Sequence, residues 1–402
     1  MAGRKKTDKT AAVRPRTILA FAVTLVVILA LDFGLERVVS DSSLRNLVFI
    51  ASCNVLVALS LNIINGLAGQ FSIGHAGFVG LGAYTAAILA AHLHQSLGSG
   101  DPTFAHSFLV MPLCIVAAGG VAGLFGLIVG LPSLRLKGDY LAIVTLGFAE
   151  IFRLTISTAS LGEPETVGEA WHKVHGVGSF FHALSAMITS LGGQNGYSGV
   201  STDGLPLYAG PFWVFGVTIL FGVFAWRLKF SGWGRALRAL REDEIAAGAV
   251  GVDPTRYKVT SFVLAAVGAG VAGCLMALMR DGTGSVNPDN FGFDKSFEAI
   301  TMVILGGSGS VSGAVLGGLF VTFTIKFIEF FQSTDAGQAI RGPHTIPFID
   351  AHVTVDLNAL RMIIYAALLI AIMIWRPEGL LGERELFAKK KPAVAPKGEA
   401  KA

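Results

Sequence analysis

Long apolar runs recur along this chain, most of them close to the ~20 residues that a helix needs to cross a hydrocarbon layer. They lie at 17–36, 44–65, 76–94, 108–132, 140–158, 209–229, 257–279, 296–307, 310–332 and 356–375. In lipid such runs must satisfy their own N–H and C=O groups, which makes them helices. Only 14% of the 402 residues are charged and 52% are hydrophobic, whereas a soluble domain carries roughly a quarter charged residues. The 50 glycines follow no G-X-Y period, which excludes collagen. The expected fold class is an all-α polytopic membrane protein of about ten transmembrane helices. Segment 296–307 is too short to cross alone at about 1.5 Å per residue. It reads as half of a helix broken at Gly306-Gly307-Ser308-Gly309-Ser310, and 66–75 has the same character, giving two Gly-broken segments.

Charge sets the expected orientation. With the N-terminus inside, segments 1–16, 133–139, 226–258 and 376–402 share 22 of the 31 Lys and Arg residues. The opposite loops carry Glu163, Glu165, Glu169, Asp203, Asp281, Asp289, Asp294, Asp335 and Asp350. Cytoplasmic loops concentrate Lys and Arg, so both termini are expected in the cytoplasm. The basic start followed by 17–31 resembles a secretion signal, but Asp32-Phe33-Gly34-Leu35-Glu36-Arg37 offers no small-x-small cleavage pattern, so a retained first helix is expected. The predicted organisation is a basic N-terminus (1–16), a transmembrane domain (17–376) and a basic cytoplasmic tail (377–402). Within the domain fall an outer loop at 159–208 and a cytoplasmic helix at 231–253. The loop contains an apolar piece, 180–191, that suits an interfacial or pore-capping helix. The tail from Lys389 is expected to be disordered, with anionic lipid rather than nucleic acid as its surface.

A weak internal repeat appears at an offset of 238: Gly69, Ser72, Ile73, Ala76, Phe78 and Gly80 align with Gly307, Ser310, Val311, Ala314, Leu316 and Gly318. Transporters often place similar halves and broken helices around the substrate path.

Several chemistries are excluded. The chain has no Gly-Lys dipeptide, hence no phosphate-cradling P-loop, and no H-E-x-x-H. Gly268, Gly270 and Gly273 spell G-x-G-x-x-G inside an apolar span with no preceding strand. They are expected to be packing surfaces, as are Gly119/Gly123, Gly126/Gly130 and Gly313/Gly317. Cys53, Cys114 and Cys274 lie in apolar runs and read as small hydrophobes. His92, His94 and His106 share an outside loop without metal-site spacing, and no metal is expected.

The stretch 231–253 is the most informative soluble one. Arg235, Arg238 and Arg241 recur every third residue beside an apolar stripe of Ala236, Leu237, Leu240 and Ile245. The spacing predicts one short amphipathic helix ended by Gly248 and Gly251, with Asp253 capping the next membrane helix and Pro254 at its first position. Arg followed by Glu242-Asp243-Glu244 suits a protein groove better than an anionic leaflet. Glu150 and Arg153, i and i+3 near mid-membrane, suit either a self-neutralising packing pair or a hydrophilic path. Asn62, Asn65, Gln70, Ser72, His75 and Tyr84 cluster around 66–82, as either a lined cavity or interhelical hydrogen bonds.

Five ordered blocks between 59 and 382 resemble LivM-type permeases: LSLNIINGLAGQFSIGHAGFVGLGAYT (59–85), LRLKGDYLAIVTLGFAEIFR (134–153), 234–252, MVILGGSGSVSGAVLG (302–317) and RPEGLLG (376–382). EIAAGAVG (244–251) is similar to the E-A-A-x-x-x-G loop by which importer permeases contact their ATPases, with Ile245 inserted. The resemblance implies a membrane subunit of an ABC importer for branched-chain amino acids in a bacterial plasma membrane. Implied partners are a LivH-type second permease, two cytoplasmic ABC ATPases and an extracytoplasmic amino-acid-binding protein. No cofactor is implied in this chain, ATP being used by the partner subunits.

On that resemblance the coupling residues are Arg235, Arg238, Arg241, Glu242, Asp243, Glu244, Ala246, Ala247 and Gly251. Candidates for the translocation path are Asn65, Gln70, Ser72, His75, Tyr84, Glu150, Arg153, Ser308 and Ser310. The 159–208 loop is longer than usual for the family, with Gly192–Gly196 resembling its Gly-rich end. The same machinery also fits urea or short amides. An ion-coupled transporter using Glu150, Arg153 or His75 is a further alternative, against which the 235–251 helix argues.

Overall fold

The computed structural model describes residues 41–97, 104–133, 140–158, 193–199, 204–333, 344–346 and 351–353, with short stretches between 366 and 386. The expected first span, the outer piece 180–191 and most of 356–375 fall outside the described residues, as do the basic tail from 387 onward and 134–139.

Membrane-length helices form where the apolar runs predict them. They are α1 (Ser42–Asn62), α2 (His75–Ser96), α3 (Phe104–Ser133), α4 (Tyr140–Ser157) and α5 (Pro211–Phe230). Two short helices, α6 (Gly232–Glu242) and α7 (Glu244–Ala249), precede α8 (Pro254–Ala277), α9 (Phe293–Gly306) and α10 (Val311–Ser333). Among the described residues, seven helices are long and apolar enough to cross a membrane, α1 being continued to Leu67 by a π turn; α9 is too short, as expected. A two-stranded antiparallel ribbon, β1 (His344–Ile346) with β2 (Ala351–Val353), is a local addition to an all-α polytopic fold.

Local chemistry sets the helix starts. Asp41 accepts the Ser43 N–H at the head of α1, and Asp253 accepts the Arg256 N–H ahead of Pro254 in α8, as predicted. The buried centre is α8 against α1, α2 and α3, with α10 closing on α1 and α9. Glycine makes this approach possible. A Cβ on Gly273 would sit 1.9 Å from the Val79 carbonyl oxygen, and one on Gly270 2.6 Å from that of Ala118. The G-x-G-x-x-G thus packs helices. Cys53, Cys114 and Cys274 are buried free thiols. The outward faces of α3, α4, α5 and α10 remain apolar, with Leu113, Val116, Ile151, Leu220 and Phe327 exposed, as on a protein whose solvent there is lipid.

The seam has a measurable consequence. Gly273→Ala forces α2 and α8 apart and should cost about 1–3 kcal/mol, lowering the melting temperature of the detergent-solubilised protein. Gly120→Ala, with open space around its Cβ, should leave that temperature unchanged or raise it slightly.

Candidate coupling and translocation site

The two Gly-rich breaks meet at one end of the bundle. After α1 the chain makes a π turn, Ile63–Leu67, and passes Gly69 at φ 68° before α2 begins. Between α9 and α10 it turns through Gly307 (φ 116°) and Gly309 (φ 87°), left-handed conformations that favour glycine. Asn62 joins the two. Its Nδ2 donates to the Ser310 carbonyl at 3.0 Å and its Oδ1 accepts the Gly309 N–H at 2.8 Å. A Cβ on Gly66 would come within 2.3 Å of the Gly309 nitrogen.

Breaking a helix inside a membrane orphans backbone groups, and a distant segment answers them. At the end of α9, the Leu380 and Leu381 N–H groups donate to the Leu305 and Gly306 carbonyls at 2.9 and 3.2 Å. At the start of α10, the Glu385 carboxylate accepts the Val311 and Ser312 N–H groups at 2.8 and 2.9 Å and the Ser312 hydroxyl. Lys229 at the end of α5 donates to the same carboxylate at 2.6 Å, and the side chains of this pair are only 5% and 2% exposed. Leu380, Leu381 and Glu385, expected at the start of the tail, therefore brace the break. Burial raises the Glu385 pKa, but the bonds from Lys229, Ser312 and Val311 outweigh it and hold the carboxyl below its ordinary value.

The stretch 231–253 forms two helices where one was predicted. Asp243, in extended conformation, ends α6 and caps α7 by accepting the Ile245 and Ala246 N–H groups, both at 2.9 Å. This corner corrects the predicted stripe. Leu237 and Leu240 are buried, but Ile245 is 86% exposed and Val250 78%. Ala247 is buried, whereas Ala246 and Gly251 are exposed. Glu244 pairs with Lys258 at 2.5 Å. Arg235 donates to the Phe230 carbonyl, and Arg238 to those of Gly234 and Lys229, so both secure the root of α6. Arg241 reaches further. Its Nη1 donates to the Gly66 carbonyl at 2.8 Å, its stem lies against Gly69, and its Nη2 meets Glu242 at 3.3 Å.

The nine path candidates separate into two groups. Asn65, Gln70, Ser72, His75, Ser308 and Ser310 gather at the breaks. Asn65 Oδ1 accepts the Ser72 N–H, Ser308 Oγ donates to the Asn65 carbonyl at 3.5 Å, and His75 Nε2 lies 2.7 Å from Ser60 Oγ. Asn65 Nδ2, Gln70 Oε1, Ser72 Oγ and His75 Nδ1 are buried atoms that make no hydrogen bond with the described residues. Such atoms are rare in a settled core. Tyr84, Glu150 and Arg153 lie toward the other end. Tyr84 donates to the Val286 carbonyl at 3.0 Å, and Arg153 binds Glu150 and also Asp289 at 2.9 Å. The predicted Glu150–Arg153 pair is therefore part of a three-residue cluster. His94 bonds Tyr208 at 2.7 Å.

Sequence reasoning missed Glu385 and Lys229, and it noted Asn62 only as a neighbour in a polar cluster. The available signal for Glu385 was an acid just beyond the RPEGLLG block, complementary to a helix N-terminus. Removing one partner of a buried ion pair costs about 3–5 kcal/mol, so Lys229→Met should markedly destabilise the purified protein. The Glu385 carboxyl is depressed, so its contribution is full above the ordinary carboxylate pKa and fades as pH falls through the lower folded value. The melting-temperature advantage of wild type over Glu385→Gln should accordingly be full at pH 7, start to shrink as pH falls below the ordinary carboxylate value of about 4, and be lost on acidification through the lower folded value.

The family described as branched-chain amino acid transport system / permease component matches residues 43–373. The chain is 32% identical to the high-affinity branched-chain amino acid transport system permease protein LivM of Salmonella typhimurium, over 93% of this chain and 77% of that one. It is 30% identical to LivM of Escherichia coli K12, over 95% and 78%. Against the LivH permease of Escherichia coli K12 it is 30% identical over 40% of this chain and 42% of that one. No solved structure gives a significant match. With its apolar helices and its match over most of the length, the chain is an integral membrane transport component and belongs to the family of branched-chain amino acid transport system permeases.

Proposed function

We propose that this chain is one of two membrane subunits of an ATP-driven importer for branched-chain amino acids. Its partners would be a LivH-type permease, two ATPases under the α6–α7 corner and a substrate-binding protein at the opposite end. In this reading the α6–α7 end and both termini face the cytoplasm of a bacterial cell, and the remaining apolar faces meet lipid or the second permease. ATP is bound and hydrolysed by the partners, and no cofactor is held here.

The observation that carries the reading is Arg241. It belongs to the helix offered to the ATPases, and it hydrogen-bonds the backbone where both broken helices meet. The exposed Ile245 and Val250, presented at a corner fixed by Asp243, supply an apolar docking point. Movement of α6 then acts on Gly66, and through Asn62 on Gly309 and Ser310. The polar atoms buried at the breaks line the stretch that substrate crosses. A ligand-driven rearrangement needs a difference in binding energy between the two states. ATP and the loaded binding protein supply it from opposite ends.

The test is a reconstituted complex in liposomes. ATP-dependent leucine uptake that isoleucine and valine suppress, and urea does not, is expected. Uptake driven by a proton gradient without ATP would overturn the reading. Within that assay, Ile245→Asp should release the ATPases from the purified complex. Arg241→Ala should keep them bound but lower leucine uptake roughly tenfold, the value of a hydrogen bond from a charged group.

A further inference from the structure

At the end opposite the α6–α7 corner lies a cavity of ≈ 320 Å³, bounded by the starts of α1 and α9, the end of α8 and the loop between α8 and α9. Ile50, Met276, Val286 and Phe291 give it apolar walls. At its floor an ion pair is held against the middle of α1. Lys295 Nζ donates to Asn54 Oδ1 at 2.8 Å and to Glu298 Oε2 at 3.4 Å. Asn54 lies twelve residues beyond Ser42, or ~18 Å down α1, near the middle of a hydrocarbon core of roughly 30 Å. The Asn54 amide is oriented from behind, its Nδ2 donating to Thr322 Oγ1 at 2.9 Å, which turns the oxygen toward the lysine. Glu298 is buried, and the Lys295 side chain keeps 18% of its surface exposed in the cavity.

Charges at this depth are costly and mark functional sites. A packing pair needs no cavity beside it. Here the ammonium has three donors, two of them used by Asn54 and Glu298. Three carboxylates, Asp289, Asp294 and Glu298, also border the cavity, and Arg153 engages the first. Asp294 stands exposed one residue before Lys295. One cation and nearby acids, set beside apolar walls in a cavity of this size, complement a molecule with a carboxylate, an ammonium and a short hydrocarbon body.

We propose that this cavity holds a zwitterionic α-amino acid during import, Lys295 binding its carboxylate, Asp294 and Glu298 its ammonium, and the apolar walls its side chain. The assignment rests on the importer reading above and deepens it. A neutral amide such as urea has no use for the charge pair.

The experiment uses the reconstituted wild-type complex and a Lys295→Gln/Glu298→Gln double variant, which removes both charges together and keeps hydrogen-bonding groups in their place. Failure of the wild-type complex to import leucine with ATP would sink the importer reading itself. With wild-type import established, the double variant should carry at least roughly tenfold less leucine per ATP hydrolysed. An unchanged ratio overturns the proposal. Should the double variant fail to assemble, Ser285→Cys in the cavity wall decides, because the three native cysteines are buried. A bulky thiol reagent added from outside to that assembled variant should block leucine uptake, and unimpeded uptake after complete labelling would overturn the proposal.

Discussion

Everything at the α6–α7 end depends on how two interrupted helices satisfy their backbone away from water. Orphaned N–H and C=O groups cannot face lipid, so each break must find protein partners. The Asn62 amide ties the first break to the second, Leu380 and Leu381 complete α9, and Glu385 completes α10. The glycines are consequences of that geometry. At Gly66 the two backbones come too close for a side chain, and at Gly307 and Gly309 the turn requires positive φ. Arg241 enters the same network from α6, which places that helix in direct contact with the breaks.

The spans were readable because a membrane helix writes itself as a long apolar run, and the described helices fall within a few residues of the predicted ones. Asp253 and Pro254 were readable for a local reason, since a cap involves residues two or three apart. Asp243 was equally local but hidden, because the good helix formers on either side outweighed its extended backbone in a pattern reading. Ile245 was misplaced in turn. A continuous helix would bury it with Leu240, and the corner exposes it.

Other features were illegible because they are made by distance. Glu385 acts on Ser312, 73 residues earlier, and on Lys229, 156 residues earlier. No periodicity links such positions. Lys295 escaped for a different reason. With the short run begun at 296, Lys295 counted as a loop residue, whereas α9 starts at Phe293 and carries that charge into the bundle. Arg153 was half legible, its partner Glu150 being one turn away and its second partner Asp289 on another element.

The two ends of the bundle differ in a way that suits a cycle. At the α6–α7 end, three hydrogen bonds connect Arg241 and Asn62 to the breaks, while the opposite end holds a cavity reaching an ion pair at mid-depth. Three such bonds at a net ~1 kcal/mol each bias a two-state equilibrium by roughly a hundredfold. That is enough to keep the break closed by default. It is also small beside the roughly 5 kcal/mol needed to drive a population from one extreme to the other, so contacts made from outside this chain can overturn it. A fully apolar seam between the breaks would lock, because close packing has no second arrangement of similar energy. Backbone hydrogen bonds made through one asparagine and one arginine can be exchanged for others after a small shift, so the polarity at the breaks is what makes them movable.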